Sequence, residues 1–137
     1  MTTATTTARP RFKTATPQFS VPDVVATASY YKETLGFDVL GFFGDPPVFA
    51  TVGRDDVEIF FNQLPPGHPT ARVRAPVAYD AYLHVTGVDA LAVELRARGA
   101  VIREGPIDRS YHMREVIVSD LNGLVLAFGE DMVGRAT

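Results

Sequence analysis

The chain of 137 residues has no cysteine, which removes disulfides, thiolate nucleophiles and cysteine-bound metals in one step. Basic charge is not in excess either: 13 Lys and Arg stand against 16 Asp and Glu, a formal charge of -3. Such a balance offers no electrostatic footprint for a phosphate backbone, so nucleic acid is excluded as a partner. No run approaches the roughly 18 apolar residues that a membrane-spanning helix needs. No apolar segment of the signal-peptide kind follows Met1, and the expectation is a soluble, cytoplasmic protein without a membrane partner. Two catalytic signatures are missing as well. Ser20, Ser29, Ser110 and Ser119 lack the glycine context of a nucleophile elbow, and "GHPTARVRAP" is not a phosphate-cradling loop.

What is present is a composition of 46% hydrophobic residues, enough in a chain of this length for one domain with a buried core. The opening "MTTATTTARPRFK", residues 1–13, is too polar to offset its ordering entropy and is expected to be a disordered tail. A single domain is expected over 14–130, followed by a short tail over 131–137.

Within the domain, "TPQFSV" alternates wet and dry side chains as a half-buried strand does. Asp23 is a potential N-cap, Val24, Ala28, Tyr31 and Leu35 recur at helical spacing, and Gly36 supplies a left-handed stop. "FDVLGFF", "VFATVG" and "DVEIFFN" read as three strands separated by "GDPP" and "RDD" turns. The proline-rich stretch 64–78 reads as a connector. The order then repeats: "AYLHVT" as a strand, a helix from about Val88 stopped by Gly99, a strand beginning at "AVIREG", and two strands around "DLNG". Asn122-Gly123 there predicts a tight two-residue hairpin. One βαβββ module over 14–63 is thus written again over 79–130, an internal repeat of about 60 residues.

The segments "FSVPDVVATASYYKETLGF", "YLHVTGVDALAVELRARGA" and "HMREVIVSDLNGLVLAFGED" together resemble the vicinal oxygen chelate superfamily, which includes glyoxalases, ring-cleaving dioxygenases and bleomycin-resistance proteins. The resemblance spans about Thr14 to Glu130 and implies an α+β fold: two βαβββ modules forming a cupped mixed sheet, helices on the convex side, ligand chemistry on the concave side. It also implies a homodimer.

Since the apolar face of each strand must lie under a helix, the other face lines the cup. That assigns Gln18, Glu58, Phe60 and Asn62 to the cup in the first module, with Phe43 and Phe49 flanking it. Asp80, Tyr82 and His84 share the corresponding face in the second module, while His112 and Glu115 lie at its mouth and wall. His68, in the connector, is expected to be a solvated loop residue.

Metal-dependent members of the superfamily hold an ion through four strand positions, and the resemblance carries these onto Thr16, Glu58, Asp80 and Ala127. Only Glu58 is a usual ligand type there, and two acids fall short of the three or four donors that Zn or Fe sites need. His84 does not repair the set with Asp80, because four residues along a strand separate them by about 13 Å. No catalytic residue, metal or other cofactor is therefore expected.

The leading expectation is a small-molecule binding protein of the bleomycin-resistance kind that sequesters an aromatic or cationic ligand, with Glu58, Asp80 and Glu115 as acidic wall groups. The lack of tryptophan tells against the same flat ligand as in that branch. The alternative is an enzyme of the superfamily. It would be a lyase, isomerase or dioxygenase using one divalent metal ion on displaced ligands such as Glu58, His84 and His112, or a metal-free acid/base catalyst using a coupled Glu58 and Asp80 pair.

Overall fold

The computed structural model describes residues 9–68 and 78–134. Residues 1–8 and 135–137 of the expected tails (1–13 and 131–137), and most of the expected connector, lie outside the described residues. Residues 9–17 run without regular structure into the first strand.

Module one consists of β1 (Gln18–Val21), α1 (Val24–Leu35), β2 (Asp38–Phe43), β3 (Phe49–Arg54) and β4 (Val57–Gln63). Module two repeats it as β5 (Ala81–His84), α2 (Val88–Ala97), β6 (Val101–Asp108), β7 (Met113–Ser119) and β8 (Val125–Asp131). Each module forms a four-stranded mixed sheet of the same order, β1-β4-β3-β2 and β5-β8-β7-β6, with the first and last strands parallel. This is the α+β architecture expected from the repeat.

The helices form where local chemistry favours them. Asp23 caps α1 by accepting the N–H groups of Val25 and Ala26 at 3.0 Å each. Gly36, at φ 75°, ends it in the left-handed conformation that only glycine adopts at little cost. Val24, Thr27, Ala28, Tyr31 and Leu35 form its buried stripe. The start of α2 lacks a capping side chain of its own, because Gly87 stands at that position. Distant side chains supply the partner in both modules: Gln63 Oε1 accepts the Val24 N–H at 3.0 Å, and Glu130 Oε1 accepts the Val88 N–H at 3.1 Å. The last strand of each module thus ties down the first turn of its helix, a second level of repetition beneath the sequence pattern.

The hairpin between β7 and β8 departs from the expected two-residue turn. Its loop spans residues 120–124, with only Gly123 at positive φ, and the carboxylate of Asp120 accepts the N–H groups of Asn122 at 2.7 Å and Leu124 at 2.9 Å. Asp120 folds the loop around its own side chain, and this wins over the Asn-Gly turn.

Most of the buried apolar side chains form one core shared by both modules. Phe19, Val21, Ile59 and Phe61 come from the first sheet, Leu83, Val116, Leu126 and Phe128 from the second, with the buried faces of both helices among them. Polar bonds across the seam join the helical sides. Tyr31 of α1 donates to Asp120 Oδ2 at 2.7 Å, Thr27 Oγ1 accepts from Asn122 at 3.0 Å, and Arg54 pairs with Glu94 of α2 at 2.7 Å. Each module therefore turns its helix toward the other. The helix-free face of each sheet lies on the side away from that shared core.

Candidate functional site

On the helix-free face of module one, strand register aligns Gln18, Phe60 and Thr51 across three strands, with Asn62 opposite Phe49 and Phe49 opposite Phe43. The rings of Phe49 and Phe60 meet edge to face with centroids 5.4 Å apart, and Phe43 is 72% exposed beside them. Glu58 lies on the same face and joins Asp38, Asp55 and Asp56 around a recess of about 400 Å³ next to Leu40. The face is an apolar aromatic surface with an acidic end.

Module two builds a different surface at the same place. Glu115 of β7 points to the helix-free face, yet it is 0% exposed, because four donors enclose it. Its Oε2 accepts from the phenols of Tyr82 and Tyr111, both at 2.8 Å. Its Oε1 accepts from Arg109 Nε at 2.9 Å and from the Tyr79 phenol at 3.3 Å. Arg109 is held in turn by Glu104 at 2.7 Å. Ile117, Val125 and Ala127 form a small second core beneath Tyr79 and Tyr82.

Two glycines make this cluster possible. A Cβ on Gly129 would stand 1.9 Å from the Tyr82 hydroxyl, so the missing side chain is the notch through which Tyr82 reaches Glu115. A Cβ on Gly105, at φ 100°, would stand 2.2 Å from the Glu115 carbonyl oxygen, so β6 can lie against β7 there only as glycine.

The electrostatics follow from this enclosure. Burial pushes the Glu115 carboxyl up, but the bonds from Arg109, Tyr82 and Tyr111 outweigh it and hold the group below its ordinary range. The phenols respond in the opposite direction. Burial and the adjacent carboxylate raise Tyr111 to about 12, and Tyr82 further. At neutral pH the Glu115 carboxyl is therefore ionised, while the Tyr82 and Tyr111 phenols keep their protons.

The remaining residues expected at the site are distributed unevenly. His84 is exposed on the same face as Tyr82, their rings 5.0 Å apart. His112 sits in the β6–β7 turn at φ 63°, where its carbonyl accepts the Met132 N–H. Asp80 precedes β5, and its carboxylate accepts the Val125 N–H at 2.8 Å, which makes it a brace between β5 and β8. Of the three acids expected to face a cationic ligand, Glu115 is enclosed, Asp80 is tied to backbone, and Glu58 is exposed.

The four family metal positions do not fit an ion. Ala127 has no donor atom, Thr16 offers only a hydroxyl, and the Asp80 carboxylate already accepts the Val125 N–H. Within one chain, no group of three or more His, Asp or Glu among the described residues is placed to hold a metal. Glu58 and Asp80 stand in different modules of one chain, and the Asp80 carboxylate is engaged by the Val125 N–H.

Tyr79, Tyr111, Arg109 and Gly129 belong to the cluster but were not singled out from the sequence. Tyr79 lies before the strand begins, where alternation carries no information, and Arg109 and Tyr111 sit in or beside a hairpin turn. Gly129 had a readable signal: a glycine inside a strand marks a close approach.

A groove of about 610 Å³ on the opposite side runs between the modules, past Leu35, Phe37, Leu91 and the Arg54–Glu94 pair. It touches the helix-free faces only at His84 and the β3–β4 turn.

Among solved structures, the fold is similar to that of TioX from Micromonospora sp. ML1, with a TM-score of 0.69 at 18% identity over 88% of this chain and 99% of that one. TnmS3, an antibiotic binding protein from Streptomyces sp. CB03234, superposes with a TM-score of 0.65 at 24% identity, covering 89% and 99%. A glyoxalase/bleomycin resistance protein/dioxygenase from Nocardioides gives 0.66 at 18% identity over 96% and 92%. Since these chains share the paired-module fold, and the family model matches residues 13–128, the chain belongs to the Glyoxalase/Bleomycin resistance protein/Dioxygenase superfamily.

Proposed function

We propose that the protein binds and sequesters a small aromatic or cationic molecule, without a metal, in a cup that closes only when two copies meet. The observation that carries this reading is the pair of aromatic helix-free faces, Phe43, Phe49 and Phe60 on one sheet and Tyr79, Tyr82 and Tyr111 on the other. Both lie away from the shared core. A single chain cannot bring these two faces together, because its modules are joined through their helical sides. A second copy can cover each face with the complementary one and enclose a flat ligand between phenylalanine and tyrosine walls. The acidic end at Glu58 then accommodates a cationic substituent. The likeness to TnmS3, an antibiotic binding protein, supports drug or secondary-metabolite resistance as the setting.

The reading is tested by light scattering and calorimetry on the same preparation. A dimer that binds planar aromatic cations at a stoichiometry of one or two per dimer is expected. Phe60→Ala should weaken binding about tenfold without dissociating the dimer, by loss of one stacked ring. A monomer that binds no such ligand overturns the reading. Elemental analysis of protein purified without chelator is expected to show no stoichiometric Zn, Ni, Mn or Fe, and finding one overturns the metal-free part.

A further inference from the structure

The Glu115 cluster has a direction of hydrogen bonding that limits what it can recognise. An ionised carboxylate accepts and never donates, and each phenol carries one proton. Glu115 takes the protons of Tyr79, Tyr82 and Tyr111, leaving three phenol oxygens with lone pairs alone. Arg109, the cation of the cluster, turns its Nε–H to Glu115 and its Nη1 to Glu104, so the acceptor character belongs to the tyrosine edge of the wall. The wall therefore presents aromatic ring surface with acceptors at its polar edge, and the carboxylate behind it polarises those acceptors. His84 adjoins Tyr82 and offers one donor and one acceptor when neutral, so it does not reverse the balance.

We propose that this tyrosine wall selects planar aromatic molecules bearing hydroxyl or amino donors on their edge, over the same ring systems with those donors capped. The inference rests on the sequestration reading above and names the ligand class for it. Glu115 is the positioning residue: enclosed by its donors, it acts by fixing the direction of the phenol protons. Tyr111 is the most exposed of the three tyrosines, at 54%.

The test uses the full chain and two probes of one shape, 2,3-dihydroxynaphthalene and 2,3-dimethoxynaphthalene, with binding followed by calorimetry. The wild-type protein is expected to bind the diol about tenfold more tightly than the ether, the worth of one hydrogen bond to a polarised acceptor. Tyr111→Phe removes one of the four donors to Glu115, leaves Tyr79, Tyr82 and Arg109 in place, and should narrow that ratio to about threefold or less. Phe49→Ala, on the opposite wall, should weaken both probes and leave the ratio unchanged. Equal affinities for the two probes, or a tighter ether, overturn the inference and leave the sequestration reading standing. Binding of neither probe at millimolar concentration overturns both. A ratio that Tyr111→Phe and Phe49→Ala reduce alike also overturns the inference, because it assigns the discrimination to general packing.

Discussion

The two sheets differ most at one equivalent position. In module one Phe49 stands across from Asn62, which is also beside Ser20; in module two Glu115 stands across from Gly129, which is also beside His84. The same strand of the same topology carries a phenylalanine in one copy and an enclosed carboxylate in the other. Phe49 is stabilised by one ring, Phe60, and needs no further partners. Glu115 requires four donors and a glycine notch. A repeat thus preserves the scaffold while one face becomes apolar and the other polar, because the helix-free face is under no demand to fit the shared core.

The largest break in that comparison is Glu115→Leu, which gives module two an apolar residue like its counterpart. It leaves three phenols without their acceptor and Arg109 with Glu104 alone, and the expected loss is about 3 kcal/mol by urea unfolding. The companion change Phe49→Leu should cost about 1 kcal/mol.

Gly129→Ala comes next. The added methyl displaces Tyr82 and should cost about 2 kcal/mol, whereas Asn62→Ala at the equivalent place should stay within about 0.5 kcal/mol. Equal costs at the two positions would refute the notch.

Acid titration separates Glu115 from a second buried acid, Asp120. Asp120 is raised, chiefly by burial, which the bonds from Tyr31, Asn122 and Leu124 only partly offset. Glu115, being lowered, contributes stability that is fully present above its ordinary value of 4.5 and is lost as pH falls through its native value. Asp120 contributes in the opposite sense: its part is fully present below 3.8 and is lost as pH rises through the raised native value. Urea midpoints followed into acid should therefore fall less steeply in Glu115→Gln than in the wild type, and Asp120→Asn should gain relative stability toward neutral pH.

The smallest effect is expected at the seam. Arg54→Ala removes a half-exposed pair with Glu94 and should cost about 0.5 kcal/mol, with the cup faces and the diol-to-ether ratio unaltered. A loss of that ratio in Arg54→Ala would mean that the seam, and not the tyrosine cluster, sets the selectivity.

Much of the scaffold was readable in advance, because periodicity reports which face is buried. The apolar face of each strand was expected under a helix, and Phe19, Val21, Ile59, Phe61, Leu83, Leu126 and Phe128, which lie on those faces, are in the shared core. The site was less legible. Alternation placed Tyr82 and His84 on one face, but it carried no information about Tyr79, Arg109 and Tyr111, which reach Glu115 from a bend and a hairpin turn. Asp80 occupies the expected face by parity and spends its carboxylate on a backbone N–H, a partner that parity cannot reveal.

The amino-acid sequence alone determined the twofold βαβββ order, the helix stops at Gly36 and Gly99, and the division of each strand into a core side and an open side. These depend on neighbours a few residues away, through steric limits and hydrophobic periodicity. Tertiary structure decided that the two helical sides face one another, so that both open faces point outward, and that one acid is enclosed while another remains exposed. Those outcomes depend on groups brought together from positions far apart in the chain, such as Tyr79 and Glu115 or Tyr31 and Asp120, and local pattern holds no record of such meetings.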